Sequence, residues 1–282
     1  MRVYEKRLDV EKDVADLHKQ NKSIGFVPTM GALHKGHLAL VKKAIDQNQA
    51  VVVSIFVNPT QFNNSEDLIK YPRTLDSDVT LLSTLSNDII VFAPEPKEIY
   101  GSKTSSFDYD FKGLEHEMEG KFRPGHFDGV GTVLKHLFTI VSPTKAYFGE
   151  KDFQQLQIVK KLVEIENMAV EIIGCPIYRE ESGLALSSRN KRLNKKQLQE
   201  SPLIYKTLKQ VKNDFGTKSV IDLTSWVSEQ FENNDVLVLE YFEIAKVSDL
   251  RSIKRKRKNT KYRAFIAVFA GEVRLIDNIA LN

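Results

Sequence analysis

The chain has 282 residues, of which 41% are hydrophobic and 28% are charged, and its formal net charge is +4. This composition is typical of a folded globular protein and excludes disordered, collagen-like and low-complexity chains. No apolar run reaches the roughly 18 residues of a membrane span, and the N-terminal segment is too charged for a secretory signal. We therefore expect a cytoplasmic protein with no membrane partner. The single cysteine, Cys175, cannot form an internal disulfide, and we interpret it as a core residue.

Up to residue 175, segments typical of buried strands alternate with segments of helical periodicity. The strand-like runs are 23–27, 50–57, 88–93, 145–148 and 170–173. Apolar residues at helical spacing lie between or beside them, at 38–45, 75–82 behind a Thr74 cap, 130–141 and 156–163. This alternation predicts an α/β fold, with a Rossmann-like, parallel-sheet nucleotide-binding domain over 1–175. Ligands bind such sheets at the carboxyl ends of the strands, here the loops after Val27, Val57 and Phe148.

The pattern changes near Pro176. Helical patterns at 203–211 and 220–231 precede strand-like runs at 236–244, 264–270 and 273–276, with a tight turn at Gly271. Residues 176–282 are therefore predicted to form a smaller α+β domain that ends in an antiparallel sheet. This part is basic, with 20 Lys and Arg against 13 Asp and Glu, compared with 21 against 24 in the first 175 residues. Composition leaves open whether it faces a polyanion, a nucleotide or water.

Residues 28–37 (PTMGALHKGH) form the segment that most strongly indicates chemistry. The segment follows a buried strand and opens an amphipathic helix, where free backbone N–H groups and the helix dipole favour a phosphate. Gly31 and Gly36 would let backbone and ligand approach closely. His34 and His37 would aim imidazole donors at phosphate oxygens. The alternative interpretation is a tight turn with two surface histidines. The position of the segment after the first buried strand favours the phosphate-binding interpretation.

The His-x-Gly-His pattern resembles the nucleotidyltransferase superfamily, which includes the class I aminoacyl-tRNA synthetases. The whole segment 28–37 resembles the pantothenate synthetase (pantoate–β-alanine ligase) family in particular. Further segments agree in the same order: 54–62 (SIFVNPTQF), 71–74 (YPRT), 123–127 (RPGHF) with Gly129 and Val130, 148–156 (FGEKDFQQL), and Arg179-Glu180 before 186–190 (LSSRN). Because the segments are ordered and span most of the chain, they are more specific together than any one is alone.

The resemblance implies an ATP-dependent ligase of pantothenate and coenzyme A biosynthesis. (R)-Pantoate and ATP would form an enzyme-bound pantoyl adenylate and release pyrophosphate; β-alanine would then attack the acyl carbon, giving pantothenate and AMP. The pantoate carboxylate is already ionised near neutral pH, so the first step needs no general base. It needs in-line geometry and stabilisation of the departing pyrophosphate, which cationic and neutral donors provide.

The resemblance also assigns roles to matching residues. Those expected to act in catalysis on the ATP phosphates are His34, His37, Lys151 and Arg189. The wider ATP site would add Met30, Gly149, Asp152, Leu186, Ser187 and Ser188. Pantoate would be bound by Pro28, Thr29, Met30, Gln61 and Gln155. Asp152 would accept hydrogen bonds from the ribose, and residues 187–189 would form a mobile phosphate clamp, brought over the phosphates when the C-terminal domain closes as a lid.

A magnesium ion bound with ATP and a homodimer are further implications of the resemblance. Asp78 matches an acidic position near the Mg²⁺–phosphate assembly, although it is also a residue type that favours the first turn of a helix. Two positions depart from the family pattern. Ser77 interrupts the acidic run, and Leu186 replaces a methionine of similar size.

Simpler interpretations of these residues stay open at this point. Lys151 and Asp152 would form a surface ion pair, 187–189 a polar loop that caps the next helix, and Gln61 and Gln155 ordinary surface amides. His126 is expected to have a structural or supporting role. The other histidines, His18, His116 and His136, are given no function.

Alternatives for the whole chain also remain. One is another His-x-Gly-His nucleotidyltransferase, such as one that acts on phosphopantetheine; the other is a non-catalytic nucleotide- or RNA-binding module. The basic run 254–258 has no interleaved aromatic residues and is interpreted as a solvated loop, so no nucleic-acid partner is expected. The glycines near 129–131 lack the third glycine and the preceding strand of a dinucleotide site, and there is no Walker A sequence.

Overall fold

The structure is a computed structural model, and it describes residues 1–62 and 65–282. The strands are β1 (Arg2–Tyr4), β2 (Ile24–Thr29), β3 (Ala50–Ile55), β4 (Ile90–Phe92), β5 (Lys145–Gly149), β6 (Glu171–Cys175), β7 (Leu237–Lys246), β8 (Tyr262–Ala270) and β9 (Val273–Ala280). The α-helices are α1 (Arg7–Lys19), α2 (Lys35–Gln47), α3 (Ser65–Lys70), α4 (Leu75–Ser83), α5 (Pro96–Tyr100), α6 (Met118–Phe122), α7 (His126–Val141), α8 (Phe153–Ile165), α9 (Lys195–Glu200), α10 (Leu203–Asp214) and α11 (Val220–Glu232).

Within the described residues, β1 to β6 form one parallel sheet in the order β1-β4-β3-β2-β5-β6. Strand β2 is central, since Phe26 pairs with Val52 of β3 and with Ala146 of β5. Successive side chains of a strand point to opposite faces. Val27 therefore packs with residues of α2 and α4 on one face, whereas Phe26 meets Phe138 of α7 on the other. The predicted parallel α/β fold is confirmed, and both faces of its central strand are buried.

Strands β7, β8 and β9 form a separate antiparallel sheet. Its core includes Leu208 of α10, Val227 of α11, and Ile266 and Val268 of β8. Gly271, with φ +61°, occupies the turn between β8 and β9. The smaller α+β part is thus confirmed, but β9 continues four residues beyond the predicted end at 276.

The described chain divides into two compact units. The first comprises Met1–Glu150 and Gln154–Pro176; the second comprises Lys151–Phe153 and Ile177–Asn282. The segment Lys151–Phe153 therefore packs with the C-terminal residues, although it directly follows β5 in the chain.

The sequence pattern predicts no helix or strand in the N-terminal segment, yet this segment forms β1 and α1. Val10, Val14 and Leu17 of α1 are buried despite the many charges around them. Thr74 precedes α4 as predicted but does not cap the helix through its side chain. No helix in the part of the chain that the structure describes is long and apolar enough to cross a membrane.

Candidate active site

The loop between β2 and α2 is hydrogen-bonded through its backbone to one buried carboxylate. Asp78, which is only 2% exposed, accepts the backbone N–H of Ala32 at 3.0 Å and that of Leu33 at 2.8 Å. The Thr74 hydroxyl donates to the same carboxylate at 3.2 Å. Gly31 and Ala32 both have positive φ, and a Cβ on Gly31 would lie 3.1 Å from Asp78 Oδ2. A tight left-handed turn over a buried anion therefore fixes the loop.

Most amides of this loop are engaged by the protein's own side chains. Besides the two N–H groups on Asp78, that of Gly31 donates to Thr29 Oγ1 at 3.2 Å. The N–H of His34 donates to His37 Nδ1 at 3.3 Å, and that of Gly36 to His34 Nδ1 at 3.1 Å. The sequence led us to expect free backbone N–H groups facing a phosphate; these hydrogen bonds correct that expectation.

The same hydrogen bonds set the tautomer of both histidines. His34 is the N-cap of α2, and its ring stacks on that of His37 with centroids 4.0 Å apart and planes 26° apart. Because each Nδ1 accepts a backbone N–H, each neutral imidazole carries its proton on Nε2. Both rings can therefore act as Nε2–H donors at the positive end of a helix, which is an arrangement suited to phosphate oxygens.

The end of β3 brings a second predicted residue close to this loop. Gln61 lies in the short 3₁₀ helix Pro59–Gln61, and its Nε2 contacts the sulfur of Met30 at 3.0 Å. Asn58 donates to Gln61 Oε1 at 3.1 Å, which orients the amide. Pro28 and Thr29 are the last residues of β2, half-buried beside these groups, and Thr29 Oγ1 donates to the carbonyl of Ser54 at 2.8 Å.

The backbone of Gln61 is held by residues for which no binding role was predicted. The His126 ring pairs with the Gln61 carbonyl at 2.9 Å, and Arg123 donates to it at 3.3 Å. This is the supporting role expected for His126. Gly129 of α7 allows the close approach, since a Cβ there would lie 2.3 Å from the carbonyl oxygen of Thr60.

Asn58 connects this turn to its neighbours. It is 1% exposed and donates to the carbonyl of Gly129 at 3.1 Å. Its Oδ1 accepts hydrogen bonds from Thr60 and from the hydroxyl of Tyr100. Burial raises the pKa of Tyr100 to about 12, so the hydroxyl stays protonated and able to donate near neutral pH. The only sequence signal for Asn58, Thr60 and Gly129 was their place inside the quoted segments, and Tyr100 lies outside those segments.

Gly149 and Gln155 also belong to the first unit. Gly149 ends β5, paired with Cys175, and Gln155 is half-buried on the first turn of α8. Its neighbour Gln154 is 5% exposed and donates to the carbonyls of Leu114 and Glu117 at 2.8 and 2.7 Å. The buried amide thus fixes the start of α8, the turn on which Gln155 lies.

The remaining predicted residues lie in the second unit. Lys151 Nζ is 3.5 Å from Asp152 Oδ1, and their side chains are 17% and 50% exposed. An ion pair so long and half solvated contributes little stability. Ser187 caps the 3₁₀ helix Ser188–Arg192 by accepting the N–H of Arg189 at 3.3 Å. The simpler capping interpretation is therefore correct for Ser187. The side chains of Leu186, Ser188 and Arg189 are half-buried.

No group of three His, Cys, Asp or Glu side chains among the described residues is arranged to hold a metal ion. Asp78 is 2% exposed, and its two oxygens accept three hydrogen bonds from the loop and from Thr74, which favours a positioning role for this residue over a magnesium-binding one.

Comparison with known proteins covers the whole chain. The sequence model of the family described as Pantoate-beta-alanine ligase matches residues 2–280. A pantothenate synthetase of Flavobacterium psychrophilum is 56% identical over 282 residues, covering 100% of both chains, and one of Christiangramia forsetii is 54% identical with the same coverage. Among solved structures, the pantothenate synthetase of Thermus thermophilus has a TM-score of 0.91 and 37% identity, covering 100% of this chain and 99% of that one. A pantoate–β-alanine ligase of Francisella tularensis, complexed with β-γ ATP and β-alanine, has a TM-score of 0.81 and 38% identity, covering 100% and 98%.

Proposed function

The chain belongs to the pantoate–β-alanine ligase family, which makes it an ATP-dependent ligase of pantothenate biosynthesis, and we propose that His34, His37, Lys151 and Arg189 carry its chemistry. The single observation that best supports a phosphate-binding site is the stacked pair of His34 and His37. Both Nδ1 atoms accept backbone N–H groups, so both Nε2–H groups are oriented as donors at the start of α2. The whole-length relatives from Flavobacterium psychrophilum and Christiangramia forsetii are pantothenate synthetases, which does not favour the phosphopantetheine or non-catalytic alternatives.

In the first step, a pantoate carboxylate oxygen attacks the α-phosphorus of ATP, and the bond to the β-phosphate oxygen breaks. We assign the Nε2–H groups of His34 and His37 to the phosphate oxygens on which negative charge accumulates. Such preorganised donors stabilise the transition state without reorganising during the reaction. Pantoate is assigned to Pro28, Thr29, Met30, Gln61 and Gln155; neutral amides can bind its hydroxyls and carboxylate without a counter-charge.

The second unit supplies the cationic groups of the proposal. Lys151 and Arg189 would stabilise the phosphates and the departing pyrophosphate, and the planar guanidinium can bind two oxygens at once. Asp152, half-exposed, would accept from the ribose. Gly149 would let the nucleoside lie against backbone, and Leu186, Ser187 and Ser188 would complete the clamp around the phosphates.

In the second step, the amine of β-alanine attacks the acyl carbon of the adenylate. A C–N bond forms, the bond from the acyl carbon to the AMP oxygen breaks, and the amine loses a proton. The Francisella relative has been solved in complex with β-γ ATP and β-alanine, which supports binding of both substrates by this family.

Three further proposals complete this function. Mg²⁺ would enter with the phosphate oxygens of ATP and neutralise part of their charge, because this ion commonly binds through substrate phosphates and few carboxylates. The family resemblance supports a homodimer, which sedimentation of the purified enzyme would test. The need for ATP supports action in the cytoplasm.

The decisive experiment is pantoate-dependent exchange of labelled pyrophosphate into ATP without β-alanine. Exchange is expected, since adenylation is reversible and precedes the amine. Lys151→Ala should lower exchange by at least about 100-fold, the size typical of losing a charge-stabilising donor. Lys145→Ala is the matched control. Lys145 is the first residue of β5 and forms a 3.6 Å ion pair with Glu171, and it is assigned to no substrate. Gln155→Ala should instead raise the KM for pantoate. Near-normal exchange in Lys151→Ala would refute its role.

A further inference from the structure

Two polar residues interrupt the apolar alternation of β9. Asp277 is 4% exposed and Asn278 is 2% exposed, so both are buried in a strand whose neighbours are mainly apolar. Neither matches a substrate-binding position assigned above. Buried polar side chains are costly unless they are hydrogen-bonded, so their partners indicate what they do.

Asn278 holds the segment that carries Lys151. Its Nδ2 donates to the backbone carbonyl of Lys151 at 2.8 Å. Arg263, on the paired strand β8, donates to Asn278 Oδ1, which fixes the orientation of the amide. The Arg263 guanidinium also lies over the ring of Phe153, 3.9 Å from its centroid. The turn containing Lys151 is therefore fastened to the C-terminal sheet on both sides of Asp152.

Asp277 holds the segment that leads to Arg189. Its carboxylate accepts two hydrogen bonds from Arg179, at 2.6 and 2.9 Å, in the bidentate arrangement that is strongest for this pair. Arg179 pairs with Ala185 across a short hairpin and also donates to the carbonyl of Gly183 at 3.1 Å. The hairpin leads directly to Ser187.

We propose that Asp277 and Asn278 are positioning residues that hold the two phosphate-handling segments, 151–152 and 187–189, in a fixed mutual arrangement. The proposal rests on the phosphate roles given to Lys151 and Arg189. Adjacent residues of a strand point to opposite faces, so one strand can fasten one segment on each side. The N–H of Asn278 also donates to Asp277 Oδ1 at 2.8 Å, which links the two anchors directly.

This arrangement predicts a specific kinetic signature. Neither residue is placed on a substrate, so a change in either should act through Lys151 or Arg189. Loss of the anchor should lower the rate of adenylation and raise the KM for ATP, while the KM for pantoate stays within about twofold. A residue needed only for folding would lower the amount of active enzyme without this difference between substrates.

Asn278→Asp is the sharpest test, because it replaces the donating NH₂ by an oxygen of the same size. We expect pyrophosphate exchange to fall about tenfold, the effect of turning one buried hydrogen bond into a repulsive contact. Asn282→Asp is the matched control: Asn282 Nδ2 donates to the carbonyl of Thr260 at 2.8 Å, next to the same sheet but away from both segments. If Asn278→Asp does not fold, as judged by circular dichroism, Asn278→Ser takes its place.

A double-mutant cycle separates positioning from general stability. If Asn278 acts through Lys151, the effect of Asn278→Asp should shrink to within about twofold in a Lys151→Ala background. A full tenfold effect in that background would overturn the proposal, as would equal rates for Asn278→Asp and Asn282→Asp.

The cycle of Asp277→Asn with Arg189→Ala should behave in the same way, and additive effects there would also overturn the proposal. Normal exchange in Lys151→Ala alone would instead refute the phosphate role of Lys151, and the inference with it. The failure of the proposed function is therefore distinguishable from a failure confined to positioning.

Discussion

Replacing Asp78 by asparagine tests whether this residue positions the histidine loop or binds a metal. The carboxylate accepts two loop N–H groups, at 3.0 and 2.8 Å, and is 2% exposed. An amide of the same size keeps one acceptor but turns an NH₂ toward the other N–H. Losing one hydrogen bond to a charged group and leaving one buried donor without an acceptor costs about 2 kcal/mol. At roughly 2–4 °C per kcal/mol, the melting temperature should fall by about 4–8 °C.

The assay is thermal unfolding in EDTA, without ATP, followed by pyrophosphate exchange across a Mg²⁺ series. Asp78→Asn should lose stability without any metal present, lower exchange at least about tenfold, and leave the Mg²⁺ concentration at half-maximal rate unchanged. Asp76→Asn is the control, because Asp76 is an exposed carboxylate in the same first turn of α4 and accepts no loop amide. Normal stability of Asp78→Asn combined with a raised Mg²⁺ requirement would refute the positioning role and restore the metal-ligand interpretation.

Three other changes test the site and its support. His37→Asn keeps an acceptor near Nδ1 but removes Nε2, so exchange should fall about 100-fold with little change in melting temperature, whereas His37→Gln should retain more activity. Gly129→Ala places a Cβ 2.8 Å from the Cα of Gln61, so it should cost about 1–3 kcal/mol of unfolding free energy and raise the KM for pantoate. Burial lowers the pKa of His136 from its ordinary 6.5, so its stability contribution is present above pH 6.5 and is lost as pH falls through the folded-state value. His136→Gln should therefore lose less unfolding free energy than the parent between pH 7.5 and 5.5.

Each of these has a control or a contradicting result. Equal exchange by His37→Asn and the parent would remove Nε2 from the mechanism. Gly216→Ala is matched to Gly129→Ala, since a Cβ at Gly216 meets nothing within 4 Å, and it should be nearly neutral. Parallel stability curves for His136→Gln and the parent, measured by urea unfolding at both pH values, would contradict the pKa argument.

Local sequence patterns were sufficient for the classes of the main elements and for one part of the site. Continuous apolar runs and period-3.6 spacing depend on residues within one element, so the buried strands β2 and β3 and the helices α2 and α7 could be predicted from apolar residues alone. The positions of His34 and His37 at the start of α2 follow from the same local pattern. Helix α1 could not be predicted in this way, because its buried side has only Val10, Val14 and Leu17 and most of its other residues are charged.

The supports of the site depend on contacts between distant parts of the chain. Asp78 binds amides 45 and 46 residues away, and Asn278 binds the carbonyl of Lys151, 127 residues away. From the sequence, Asp78 was interpreted as a metal ligand or a helix-start residue, and Asp277 and Asn278 lay just beyond the predicted end of a strand at 276. A hydrogen-bonding side chain has no periodic signature; its role depends on which backbone group the fold brings within about 3 Å of it. For the same reason, residues 151–153 follow a strand of the first unit in the chain and yet pack with the second.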